Sequence, residues 1–227
     1  NVYVADLPRY IVQKFAPPVT SISSEITVFV DNTPPQTQIS LIGSLGKNNW
    51  YISDVEINLS ADDNFGVEKT KYSFDNINWI TYQEAISVEN EGETSVYYRS
   101  IDKAGNIEET KNKNFKIDKT APQINIISPT NSQYKRSEVV NIEFTASDDI
   151  SGVYKNTLFL DGQEYNSQIL DLFYLSLGKH RLTLESENNA GLKAESSVEF
   201  EIVVNIDSLI ATVNRLFEKG EITNKGI

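Results

Sequence analysis

The chain repeats itself, and that repeat limits its fold more than any other feature. Asp31-Asn32-Thr33-Pro34-Pro35-Gln36 recurs as Asp118-Lys119-Thr120-Ala121-Pro122-Gln123, an offset of 87 residues. Val55-Glu56-Ile57-Asn58-Leu59-Ser60-Ala61 matches Val140-Asn141-Ile142-Glu143-Phe144-Thr145-Ala146 at an offset of 85. Gly66-Val67 matches Gly152-Val153, Asp75 matches Asp161, Gly92 matches Gly178, and Asp102-Lys103-Ala104-Gly105 matches Asn188-Asn189-Ala190-Gly191, all at 86. Drift by one residue is what small loop changes produce. Two copies of one module therefore occupy residues 32–118 and 119–205.

Comparing the copies shows which side of each segment is buried. Val55/Val140, Ile57/Ile142, Leu59/Phe144 and Ala61/Ala146 are apolar in both, with mostly polar residues between them. Alternation with period two marks a half-buried strand. Val96/Leu182 with Tyr98/Leu184, Tyr72/Leu158 with Phe74/Leu160, and Phe115/Phe200 with Ile117/Ile202 predict three more. Ile39/Ile126 opens each module, and another strand is expected near Ile80–Val88 and Leu170–Ser176. Clusters such as Asp62-Asp63-Asn64-Phe65-Gly66 and Ala104-Gly105-Asn106 read as turns. Six or seven short strands per module predict an all-β chain of two tandem β-sandwiches of immunoglobulin or fibronectin-III type.

The ends differ from the repeat. Residues 1–31 carry two strand-like segments, Val2-Tyr3-Val4 and Ile26-Thr27-Val28-Phe29-Val30, separated by Pro8 and Pro17-Pro18, and read as the tail of a preceding domain. Residues 206–227 change period: Leu209, Val213, Leu216 and Phe217 fall at helical spacing. Asp207 or Ser208 is placed to cap that helix, and Gly220 to end it in a left-handed conformation. The stripe needs a surface, so the helix is expected either to dock on the second sandwich or to begin a helical domain whose second helix opens at Glu221–Ile227. A first residue of Asn and the absence of Met are expected of a piece cut from a longer chain.

Composition narrows the function classes. The net charge of −12 disfavours nucleic acid or an anionic membrane as partner. With no Cys and one His, disulfides, zinc-thiolate sites, thiol nucleophiles and multi-histidine metal centres are excluded. No apolar run approaches the ~20 residues of a membrane helix, so no membrane insertion is expected. The acidic excess reads as a solvated surface, while Lys69, Lys71, Lys111, Lys113 and Lys116 oppose edge-to-edge strand pairing.

Both modules resemble the immunoglobulin-like repeats found in tandem in bacterial cell-surface and secreted proteins. The residues that carry the likeness are Asp31-Asn32-Thr33-Pro34-Pro35, Trp50-Tyr51-Ile52-Ser53-Asp54-Val55, Leu59-Ser60-Ala61-Asp62-Asp63 and Val96 through Asn106. The second copy departs from the pattern: Asn188 stands for the Asp of the Asp-x-Ala-Gly-Asn turn, Leu192 for its Asn, and the Trp50 motif is missing. Leu209–Ile227 resembles the opening of the small helical module called FIMAH, through Val213-Asn214, Gly220-x-Ile222-x-Asn224 and Gly226-Ile227. The resemblance implies an exported, extracellular accessory region and no catalytic activity.

Two sets of residues are candidates for binding. In such a sandwich the loops after the second and sixth strands meet where the first strand begins. This brings Asp31, Asp62, Asp63 and Asp102 towards one pole of the first module, and Asp118, Asp148 and Asp149 towards that of the second, where Asn188 is expected to supply a carbonyl. Carboxylates and carbonyls in that number suit calcium, the candidate cofactor; the competing reading is that each Asp closes its own turn. Trp50, Tyr51, Trp79 and Tyr82 are the candidates for a platform that stacks on a glycan of the cell wall or a substrate polysaccharide; the competing reading is core or rim packing. His180 stands where the first copy has Thr94 and is expected on a solvent-facing strand position rather than as a base. The function this predicts is structural: a non-catalytic spacer that positions neighbouring domains of the same polypeptide, with a carbohydrate- or protein-binding module as the alternative.

Overall fold

A computed structural model describes residues 4–7, 10–14 and 27–222. Val2, Tyr3, Ile26, Pro8, Pro17-Pro18 and the segment 223–227 that was read as opening a second helix lie outside the described residues. Strands β1 (Val4–Leu7), β2 (Tyr10–Lys14) and β3 (Thr27–Val30) form an antiparallel three-stranded sheet that belongs to neither repeat.

The first module contains β4 (Gln36–Ile42), β5 (Trp50–Tyr51), β6 (Val55–Asp62), β7 (Val67–Ser73), β8 (Ile80–Thr81), β9 (Ile86–Val88), β10 (Gly92–Asp102) and β11 (Lys111–Ile117). They make two sheets, β4-β6-β9 and β5-β11-β10-β7-β8. The second module contains β12 (Gln123–Ser128), β13 (Gln133–Lys135), β14 (Val139–Asn141), β15 (Glu143–Ser147), β16 (Val153–Leu160), β17 (Gln163–Glu164), β18 (Ile169–Asp171), β19 (Gly178–Asn188) and β20 (Lys193–Val203). Its five-stranded sheet, β13-β20-β19-β16-β17, repeats the order of the first, with β13 running parallel to β20. The opposite sheet is divided into β12-β15 and β14-β18, because Ile142 leaves the ladder and donates its N–H to the Gln168 carbonyl at 2.7 Å.

The apolar rows meet inside each sandwich. Val55, Ile57, Leu59, Val88, Val96, Tyr98, Phe115 and Ile117 form one core. Ile142, Leu158, Leu160, Leu170, Leu172, Leu182, Leu184, Phe200 and Ile202 form the other. Each such side chain contributes about 1.5–3 kcal/mol through burial. One expected core position fails: Phe74 is 43% exposed, although its counterpart Leu160 is buried. Phe74 follows the last residue of β7, Ser73, so the alternation has ended before it; its ring instead meets Tyr72 edge-on at 5.8 Å. The strand expected over Leu170–Ser176 is also shorter, giving way to a 3-10 turn at Leu172–Tyr174 that is capped by the Asp171 carboxylate.

Both five-stranded sheets end in very short outer strands, β5 and β8 of two residues each, β13 of three and β17 of two. The lysines expected to guard edges sit mostly inward of them, on β7 and β11, where Lys69 pairs with Glu68 and Lys111 with Glu108.

Helix α1 (Ile206–Glu218) follows. Its cap is Asn205, not Asp207 or Ser208: the Asn205 carboxamide accepts from Ser208 N at 2.8 Å, and Ser208 Oγ accepts from Asn205 N at 2.8 Å. Gly220 takes a φ of +71° after the helix, as a left-handed terminator does. The buried residues of the helix are Ser208 and Thr212, while Leu209, Val213 and Phe217 of the predicted stripe are exposed. An Arg215–Asp171 ion pair joins the helix to the second module, with the Arg215 guanidinium 4.7 Å from the centre of the Phe173 ring.

Candidate metal centre

The pole is built by strand register. In β10 the inward row runs Val96, Tyr98, Ser100, Asp102, all buried. In β19 the matching row runs Leu182, Leu184, Ser186, Asn188, again all buried. The last inward position of each strand thus carries a polar group inside one end of the sandwich, which an apolar core tolerates only if that group is partnered.

In the first module the partners are acidic. Asp31, Asp63 and Asp102 each bring a carboxylate oxygen to within 4.8 Å of the others. Asp102 is wholly buried; Asp31 is 7% exposed. The Asp102 carboxylate accepts from Asn106 N at 2.7 Å and Asn106 Nδ2 at 2.8 Å, and the same Nδ2 donates to the Asp31 carbonyl at 2.9 Å. Burial pushes the Asp102 carboxyl up, but the bonds from Asn106 and from the amides of Gly105 and Ala104 outweigh it and hold the group below its usual range. Asp63 Oδ1 accepts from Phe65 N at 2.8 Å and Gly66 N at 3.1 Å, and Asp31 Oδ1 from Thr33 N at 2.9 Å. Turn closure therefore engages one oxygen of Asp63 and one of Asp31. Asp31 Oδ2 is buried and has no hydrogen-bond partner.

The second module solves the same problem with an amide. Asn188 Nδ2 donates to Asp118 Oδ2 at 2.9 Å, Asp148 Oδ2 at 3.0 Å and the Thr120 carbonyl at 2.9 Å. Its Oδ1 accepts from Leu192 N at 2.8 Å, as Asp102 Oδ1 does from Asn106 N. The sequence predicts an Asn188 carbonyl at the pole; the geometry reverses this, since the backbone of its own turn takes the oxygen and leaves the donor facing the carboxylates. Asp62 and Asp149 are exposed and belong to neither cluster. The sequence pattern finds the poles but not which Asp of each adjacent pair turns inward.

The aromatic candidates divide between opposite outer strands of the five-stranded sheet, Trp50 and Tyr51 in β5 and Trp79 and Tyr82 flanking β8. Trp50 is 8% exposed, Tyr51 packs edge-on to Phe115 at 6.3 Å, and Tyr51 and Tyr82 both lie against the core of the first module. Trp79 is half-buried, its ring covered by the Arg99 guanidinium at 4.1 Å. His180 is buried, not solvent-facing. Its Nδ1 lies 2.6 Å from Asp161 Oδ2 and its Nε2 2.9 Å from the Ser176 carbonyl, and the ring stacks on Phe200. Asp161, at the tight Asp161-Gly162 turn, also accepts from Arg181 N at 2.9 Å. Its repeat counterpart Asp75 closes only its own turn, where the amides of Asn78 and Ile77 hold its carboxyl well below the usual range. No pattern in the sequence marks Glu108. It is 5% exposed and accepts from Thr37 N at 2.8 Å, Ser100 N at 3.1 Å and the Thr37 hydroxyl, with Lys111 Nζ at 2.6 Å.

These sheets and poles define tandem immunoglobulin-type β-sandwich modules. Residues 122–209 match the model of a family described as bacterial Ig domain, so the second module is similar to that family. The chain is also similar to the fibronectin(III)-like modules of Clostridium thermocellum CbhA, at 14% identity and a TM-score of 0.36, over 73% of this chain and 94% of that one. The D00-D0 domain of intimin gives 14% identity and a TM-score of 0.33, over 72% of this chain and 99% of that one. A Ca2+-stabilized adhesin that helps an Antarctic bacterium reach out and bind ice gives 14% and 0.32, over 86% of this chain and 56% of that one. No curated protein matches the chain. Among the described residues no helix is long and apolar enough to cross a membrane.

Proposed function

We propose that this region is a non-catalytic spacer of an extracellular bacterial protein, positioning the domains joined to it, with calcium as the cation its acidic surface takes up. The observation that carries the reading is the pair of separate, fully formed sandwich cores in tandem. The buried histidine supports it as well, since both its ring nitrogens face acceptors and neither presents a base to a substrate. The buried Trp50 and the covered Trp79 favour a packing role for the large aromatics over a glycan platform.

A spacer works by resisting extension, so the test is single-molecule pulling on the whole chain. Each repeat should give one unfolding event that releases about 30 nm of contour length. Extension without two discrete force peaks would overturn the reading. So would retardation by a soluble cell-wall polysaccharide that is lost when Trp79 is replaced, which would establish the binding module instead.

A further inference from the structure

The repeat makes each pole a control for the other. Asp118 corresponds to Asp31, Asp148 to Asp63, Thr120 to Thr33, and Asn188 to Asp102. In the second module the Asn188 amide nitrogen is surrounded by Asp118 Oδ2, Asp148 Oδ2 and the Thr120 carbonyl, all at 2.9–3.0 Å. In the first module the residue at that position is Asp102, which offers no donor. The consequence is visible in the partner it fails to serve: Asp118 Oδ2 accepts a hydrogen bond, and the equivalent Asp31 Oδ2, on a side chain 93% buried, accepts none.

We infer that the two poles are alternative solutions to one electrostatic problem: the first module binds one divalent cation through Asp31, Asp63 and Asp102, and the second binds none because the Asn188 amide fills the same role. The inference rests on the reading of the acidic surface as a calcium-binding one and narrows it to one pole. Three carboxylates converge within 4.8 Å there, and the one side-chain amide among them, Asn106 Nδ2, serves Asp102 Oδ2 and the Asp31 carbonyl and leaves Asp31 Oδ2 unserved, which favours a positive charge between the carboxylates. A hard, oxygen-seeking ion such as Ca2+ suits an all-oxygen set, and the Thr33 carbonyl, counterpart of the Thr120 carbonyl, is the natural addition to it. An amide brings only partial positive charge. It suffices in the second module because two carboxylates, not three, converge there.

The test is a count. The full chain is stripped with chelator, desalted and titrated with Ca2+ alone by calorimetry, as wild type, Asp31→Asn, Asp148→Asn and Asn188→Asp. The expected stoichiometries are one, zero, one and two. Two ions in the wild type would overturn the role given to Asn188 and leave the poles as cation sites. No ion in the wild type would overturn both this inference and the calcium reading. A single ion that survives Asp31→Asn, or is lost in Asp148→Asn, would place the site at the wrong pole and overturn the inference too. If Asp31→Asn does not fold, as judged by circular dichroism, Asp63→Asn takes its place. The gain of a second ion in Asn188→Asp is read independently of either.

Discussion

Asn188 Nδ2 lies 2.9 Å from Asp118 Oδ2, with both residues wholly buried. This contact joins the end of β19 to the segment that leads into β12, and it stabilises a carboxylate that water cannot reach. Replacing Asn188 with Leu keeps the branching at Cγ and removes the donor. Because it strands Asp118 and half-buried Asp148 together, Asn188→Leu is expected to destabilise the second module by about 3 kcal/mol. Urea unfolding followed by circular dichroism measures it.

Glu108 gives the first module an acid-sensitive component. Burial pushes its carboxyl up, but Lys111 and the hydroxyl and amide of Thr37 outweigh this, so it titrates below the usual glutamate value of 4.5. A carboxyl with a lowered folded-state pKa contributes stability that is fully present above its unfolded value and is lost as pH falls through the folded one. Glu108→Gln is expected to cost about 2 kcal/mol at pH 7. The gap between wild type and variant should close as the pH is taken from 5 to below the folded value, which unfolding curves at stepped pH will show.

Arg215 is the main polar attachment of α1. Its bond to Asp171 is the largest influence holding that carboxyl below its usual range, against a smaller effect of burial. Both side chains are 28% exposed, so the pair is partly screened. Arg215→Ala is expected to loosen the helix by about 1 kcal/mol. Faster amide exchange confined to residues 206–218, with the β19 amides unchanged, is the result to look for.

His180 is expected to matter for stability alone. His180→Ala removes a ring stacked on Phe200 and leaves Asp161 without its side-chain partner. A loss of about 2–3 kcal/mol is expected in urea unfolding. Asp161→Asn, which keeps the turn and an acceptor, should lose less.

Period two and the internal repeat made the sandwich legible, because burial on one face of a strand is a local property that two copies report twice. The poles follow from the sandwich arrangement itself, in which the loops after the second and sixth strands meet where the first begins; that Asp102 and Asn188 continue the inward rows of their strands is visible only in the structure. What the pattern could not supply was direction within a turn. Asp62 and Asp63 are adjacent and chemically identical, and only the hydrogen bonds to Phe65 N and Gly66 N decide that Asp63 turns inward. The same holds for Asn188, whose carboxamide orientation is set by Leu192 N. The solvent-facing position that the sequence predicts for His180 fails for a different reason. Thr94 occupies its position in the first copy, and exchange with a small polar residue suggests exposure, whereas Asp161 nineteen residues earlier supplies a polar partner that makes burial tolerable.

The two- and three-residue outer strands bear on how a chain of this kind survives its own synthesis. Neighbouring copies of one fold, tethered by a few residues, meet at an effective concentration on the order of millimolar. A long bare edge in one copy would template the wrong strand of the next, the usual failure of tandem β-repeats. On the five-stranded sheets, edges this short offer only a couple of backbone donors and acceptors to a stray strand, so a strand mispaired there gains little and dissolves. Divergence between the copies, seen in the lost Trp50 motif and the Asp102/Asn188 exchange, works in the same direction by making the sister sequence a poor substitute for the correct one.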